Sequence, residues 1–280
     1  MPEPILQTKQ LVHTYPGGAT ALKGIDVSIF ENEVVSIVGQ NGSGKTTLVR
    51  HFNGLLRPTA GQVLVCGQDA APQTISQLSR RVGYVFQNPN HQIFSTTVRE
   101  ELEVAPRNFK IPPEEYRPAL EHVVRLMELE PILDKNPLLL DYTTKKLVTI
   151  ASVLVFAPQV LILDEPTGGL DETGRRMLSA ITDMLHQEGH TVVMISHDMD
   201  YVAEHAQRVL VMAQGRLLDD GAPQQVFAHA ENLVQAQIEP PQITQLDLLL
   251  DPRAHKLSLS VGDFVDKYRS MNGGSEHENS

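Results

Sequence analysis

A chain of 280 residues is long enough to bury one large core or two small ones. Its formal net charge of −11 argues against nucleic acid as a main partner, because phosphate backbones are bound by basic faces. The single cysteine, Cys66, excludes an internal disulfide, fits a reducing compartment and reads as a small side chain in a strand.

The opening Met1-Pro2-Glu3-Pro4 has neither the basic nor the apolar character of a leader peptide. Residues Ile5 to Phe30 read as two or three strands around the turn Pro16-Gly17-Gly18. Val34 to Val38 is apolar and β-branched, as a buried strand should be. It runs into Gly39-Gln40-Asn41-Gly42-Ser43-Gly44-Lys45-Thr46, which fits G-x-x-x-x-G-K-[ST]. Thr47 to Phe52 reads as the first turns of a helix that ends near Gly54. A strand, a glycine-rich turn and a helix N-terminus together aim backbone N–H groups at an anion. Lys45 would reach the β and γ phosphates of a nucleotide, and the Thr46 hydroxyl would hold Mg²⁺. Gly39, Asn41, Gly42, Ser43, Gly44 and Thr47 would complete the cradle.

Gln62 to Val65 and Val82 to Phe86 are further strands. From Tyr84 to Thr167 there is no glycine, and helical spacing dominates over Pro113 to Glu128 and Lys145 to Phe156. This predicts a helical subdomain, about 95–157, inserted into a sheet domain. The longest uncharged run, Leu147 to Leu163, is broken by Pro158 into a helix and then a strand, so no membrane span is expected. The sheet resumes at Val160 to Leu163, which ends in Asp164-Glu165. Two acids at the carboxyl end of a buried strand suit a nucleotide hydrolase: Asp164 would hold Mg²⁺ and Glu165 would act as general base toward water. A helix from about Glu172 to Glu188, a strand from Thr191 to Ile195 and a hairpin around Gly215 follow. Beyond Pro240-Pro241 come two short helices, Leu246 to Leu250 and Val261 to Tyr268. Residues 273–280 read as a polar, disordered tail.

Taken in order, these motifs resemble those of ATP-binding cassette (ABC) ATPases over about residues 4–230, with 231–272 as a C-terminal extension. The resemblance implies an α/β fold: a RecA-like P-loop NTPase core with an antiparallel β subdomain, a helical subdomain and a small C-terminal extension. It implies that Tyr15 stacks on adenine and that Gln87 senses Mg²⁺ and the attacking water. His197 would contact the γ phosphate, and Gly169-Leu170-Asp171 would be the loop that meets a second cassette. Gln87-Asn88-Pro89-Asn90-His91-Gln92-Ile93-Phe94 with Thr97-Val98 is similar to energy-coupling factor (ECF) ATPases, importers of vitamins or transition metals. That subtype implies a transmembrane coupling protein, a separate substrate-binding membrane protein and a peripheral place on the cytoplasmic face of the membrane. Glu101 matches the usual acid of that region, and it reads as part of a solvated helix face. Another ABC transporter class and a soluble non-transport ABC ATPase remain the alternatives.

One motif departs. Where the family carries Leu-Ser-Gly-Gly-Gln, this chain has Leu140-Asp141-Tyr142-Thr143-Thr144. That motif binds the ATP held by the opposite subunit. Asp141 would put an anion near it, and two unit charges about 4 Å apart repel by roughly 4 kcal/mol at an effective dielectric near 20. Tyr142 and Thr143 place Cβ atoms where glycine backbone should approach a phosphate. Asp141 or Thr143 can still cap the helix. The expectation is a heterodimer with a second ABC ATPase whose signature is intact.

Overall fold

In a computed structural model that describes residues 3–251 and 256–273, the strands are β1 (Leu6–Thr14), β2 (Thr20–Ile29), β3 (Val34–Val38), β4 (Ala60–Val65), β5 (Gln68–Asp69), β6 (Val82–Val85), β7 (Val160–Asp164), β8 (Thr191–Ile195), β9 (Arg208–Ala213) and β10 (Arg216–Gly221). Between and after them lie α1 (Lys45–Phe52), α2 (Ile75–Ser79), α3 (Val98–Asn108), α4 (Pro113–Leu126), α5 (Tyr142–Leu154), α6 (Glu172–Gln187), α7 (Met199–His205), α8 (Pro223–Ala228), α9 (Ala230–Ala236), α10 (Gln242–Leu250) and α11 (Val261–Gly273).

Two sheets divide the strands. One is antiparallel in the order β2-β1-β4-β5. The other runs β10-β9-β3-β8-β7-β6, parallel except for the β9–β10 hairpin. Its central strands are buried on both faces, and side-chain alternation sorts them. Val35, Ile37, Val160, Ile162, Val193 and Ile195 face the antiparallel sheet and α1. Leu161, Leu163, Val192 and Met194 face helices α4, α5 and α6. A parallel sheet sets its functional loops at one edge, beyond the carboxyl ends of its strands. Here those ends deliver the loop after Val38, Gln87 after β6, Asp164 on β7 with Glu165 just beyond it, and His197 after β8.

Several elements differ from the sequence pattern. Cys66 lies just past β4 in a left-handed turn (φ 50), half-buried, rather than within a strand. Helix α5 begins at Tyr142, three residues before its apolar pattern starts, because Asp141 accepts the Thr144 N–H and caps it. Helices α2 and α3 open on Thr74 and Thr97 caps. Of the expected tail, 273–280, Gly273 ends α11 and the rest lies outside the described residues. Among the described residues no helix is long and apolar enough to cross a membrane.

Candidate nucleotide site

The loop after β3 takes its shape from glycine. Gly39 (φ 143) passes so close to β9 that a Cβ would lie 2.0 Å from the Met212 carbonyl oxygen. Gly44 (φ 106) caps α1 with no side-chain acceptor, which leaves that helix end open to an anion. The Ser43 hydroxyl is 1% exposed and has no hydrogen-bond partner, as a group awaiting a phosphate oxygen would be. Lys45 lies buried against the same loop, its Nζ donating to the carbonyls of Gly39 (2.6 Å) and Gln40 (3.1 Å). Burial lowers its pKa, while the Glu165 and Asp164 carboxylates pull the other way. The Gln40 N–H in turn donates to the carbonyl of Ala236, at the end of α9 (3.0 Å).

This loop floors a cavity of about 520 Å³, within the range that holds a small ligand. Tyr15, Asn41, Gly42, Ser43, Gly44, Lys45, Thr46, Thr47, Gln87, Asp164, Glu165 and His197 all line it; Gly39 lies behind the loop. Tyr15 is fixed at one end. Its hydroxyl bonds the Thr47 hydroxyl (3.0 Å), and its ring meets the edge of His13 at 4.7 Å. His13 packs in turn on His51, whose Nδ1 lies 2.7 Å from the Thr47 carbonyl. The ring thus stands on α1 itself. Ala19, Thr20 and Ala21 share this end of the cavity. No motif spacing announced them, because they enter through the β1–β2 turn.

The acids stand opposite. Asp164 accepts a 2.5 Å hydrogen bond from the Tyr84 hydroxyl, whose pKa is raised by burial and by that carboxylate. Glu165 has a left-handed backbone (φ 49) and a carboxylate held twice by His197. His197 Nε2 lies 3.0 Å from Oε1, and the His197 N–H donates to Oε2 at 3.2 Å. Burial pushes Glu165 up to about 7, against the opposing pull of the His197 N–H, Lys45 and Lys146. Burial and the Lys45 charge lower His197. A carboxyl poised near neutrality suits a general base. Thr46, Asp164 and Gln87 bring oxygen donors to one cavity, a set that fits Mg²⁺. Such an ion, when bound, neutralises charge on the β and γ phosphates.

The start of α5 does not line this cavity. Asp141 receives the Thr144 N–H and the Thr144 hydroxyl, bonds that hold its pKa below the usual range. Tyr142 lies over Gly169, where a Cβ would come 2.8 Å from its ring, and its hydroxyl donates to the Gln87 carbonyl at 3.3 Å. Thr143 packs on Gly174, and Asp171 caps α6 through the Gly174 N–H. Lys146, one turn further on, donates to the carbonyls of Glu165 and Gly168, contacts that no local motif signals.

A second, apolar groove of about 340 Å³ runs between the Gln87 loop and α3, with Phe86, Phe94, Val104 and Phe109 on its walls. Glu101 lies there, and it corrects the expectation of a solvated face. It is 3% exposed, and its carboxylate receives the N–H groups of Phe94 (3.0 Å) and Ser95 (2.8 Å).

The ABC transporter family profile matches residues 22–168. An ABC transporter ATP-binding protein of Caldanaerobacter subterraneus subsp. tengcongensis is 38% identical over 261 residues, 93% of this chain and 45% of that protein, so the chain spans about half of that relative's length. The energy-coupling factor transporter ATP-binding protein EcfA of Methanocaldococcus jannaschii is 38% identical over 251 residues, covering 89% of this chain and 90% of that one. The solved structure of cbiO1 from Clostridium perfringens, part of the ABC transporter complex cbiONQ, superposes with a TM-score of 0.75 at 35% identity, over 90% of this chain and 97% of that one. The chain belongs to the ABC transporter ATP-binding family and is an ATPase subunit of the energy-coupling factor type, its hydrolysis coupled to transport.

Proposed function

We propose that this chain is one half of an asymmetric ATPase heterodimer that powers uptake of a vitamin or a transition-metal ion. Its own loop, acids and Mg²⁺ hold one ATP, and the partner's signature closes that site. The observation that carries the reading is the contrast between a complete phosphate loop and an α5 start occupied by Asp141 and Tyr142. In the complete site Tyr15 stacks the base, Ser43 and Lys45 hold phosphate, and Glu165 takes a proton from the attacking water. His197 keeps the Glu165 carboxylate oriented from both oxygens. Gln87 reports the state of the cavity to the adjoining groove.

That groove takes the coupling segment of a transmembrane protein. The apolar walls and the buried Glu101 carboxylate support the assignment, since an arginine arriving there would meet a desolvated anion. A separate membrane protein binds the transported substrate, and the chain sits peripherally on the cytoplasmic face through these partners.

The test is made in the assembled transporter. Glu165→Gln should abolish most turnover, whereas disabling the partner ATPase's catalytic Glu should cost far less, because the partner's site faces Asp141 to Thr144. Equal losses from the two substitutions would refute the asymmetry. Co-purification with a coupling protein identifies the ECF assembly; recovery with a different class of transmembrane subunit would overturn it.

A further inference from the structure

We propose that Lys146 is a positioning residue for ATP hydrolysis, holding the backbone of Glu165 from the helix that follows the altered signature. The proposal rests on Glu165 being the general base.

Lys146 is 1% exposed, in the second turn of α5. Its Nζ donates to the Glu165 carbonyl at 2.8 Å and to the Gly168 carbonyl at 3.1 Å. An ammonium group leaves water only at considerable cost, so a side chain serving merely to fill this space would be apolar. What it grips is the least comfortable stretch of the site. Glu165 has φ 49, a left-handed backbone that a residue with a Cβ disfavours. Its N–H is tied to the Ile195 carbonyl (2.9 Å), and its carbonyl is tied to Lys146. Strand β8 and helix α5 therefore fix the peptide groups on either side of one strained Cα, and with them the direction of the carboxylate.

Lys146 does not line the nucleotide cavity, so it acts through Glu165. Tyr142 stands one turn before it on the same face, with its ring centre 5.7 Å from Nζ and its hydroxyl on the Gln87 carbonyl. The inward face of α5 thus touches the base on one side and the Gln87 loop on the other. A shift of α5 would be felt at both. Asp141 and Tyr142 replace residues that would face a partner's ATP, and the next turn of the same helix braces the chain's own catalytic loop.

The experiment measures steady-state ATPase kinetics in the assembled transporter for Lys146→Met, Lys146→Arg, Glu165→Gln and the double variant Lys146→Met/Glu165→Gln. Lys146→Met should lower kcat about 10- to 100-fold with KM within about twofold, since a small misplacement of a reacting group costs rate rather than affinity. Lys146→Arg, which keeps the charge and the donors, should recover most of the rate. On the Glu165→Gln background, Lys146→Met should cost less than about twofold more, because the group it positions is already gone. If the Met variant fails to assemble, Lys146→Gln carries the test. Its side chain ends one bond short and reaches at most one of the two carbonyls, so the assembled variant should lose at least about fivefold in kcat. Wild-type turnover in either neutral variant overturns the proposal. So does a loss confined to KM, or a full additional loss on the Glu165→Gln background. Wild-type turnover of Glu165→Gln would instead remove the base, and the proposal with it.

Discussion

Helices α1 and α5 begin in opposite ways, though the family resemblance expects phosphate at both. At α1 the chain supplies glycines with positive φ, leaves the cap without a side-chain acceptor and keeps the Ser43 hydroxyl unpaired. At α5 it supplies Asp141, whose carboxylate takes the Thr144 N–H. A helix end attracts an anion because its first N–H groups lack partners. The Asp141 cap takes one of them, the Thr144 N–H, with a carboxylate from the chain itself. The lesson is that a motif can change its residues and still keep its helix, since the carboxylate at its start caps the turn that follows.

The largest effect that bears on this comparison is catalytic. Glu165→Gln should lower turnover about 10²- to 10⁴-fold while ATP still binds, as measured by steady-state hydrolysis beside nucleotide titration. Unchanged turnover would dissolve the distinction between a complete site and an altered one.

A second effect is thermodynamic. The folded chain carries Glu165 at about 7 against an ordinary value of 4.5. Between those values the folded state keeps a proton that the unfolded state releases, so this group's destabilisation appears as pH rises through the window. It is complete above pH 7. At about 1.4 kcal/mol per pH unit it amounts to about 3 kcal/mol. Glu165→Gln should therefore raise the melting temperature of the nucleotide-free chain at pH 8, by roughly 5 °C or more, and change it little at pH 4.5. A gain independent of pH would sever the link to burial.

Tyr15→Ala should weaken ATP binding about tenfold, near the lower part of the range for base stacking on an aromatic ring, with little effect on kcat at saturating ATP. The smallest effect belongs to α5: Asp141→Ala should cost about 1 kcal/mol of stability, read in thermal or denaturant melts, through the lost cap. A neutral result would show that Asp141 does not hold the helix end.

The parallel sheet was legible because its strands are short, apolar and buried on both faces, and because the glycine-rich loop has a fixed place after one of them. The helices α2 and α3 carried a readable signal too, in Thr74 with Gln77 and Thr97 with Glu100, but their apolar periodicity is weak. The first turn of α5 was hidden for a related reason, since Tyr142, Thr143 and Thr144 add nothing to an apolar count. Long-range contacts had no local trace. Lys146 reads as an ordinary helical lysine until β7 brings Glu165 beside it. Glu101 reads as solvent-facing until the turn before α3 closes over it.

The hydrogen bond from Gln40 to Ala236 has a consequence in time. Its two ends are about 200 residues apart, and a ribosome adding roughly 5–20 residues per second needs roughly 10–40 s to span them. Until then the phosphate loop lacks one of its backbone partners, although every motif residue that shapes it has long been made. The nascent chain therefore carries a recognisable ATP-binding sequence well before its loop is fully held, and the carbonyl at the end of α9 completes it.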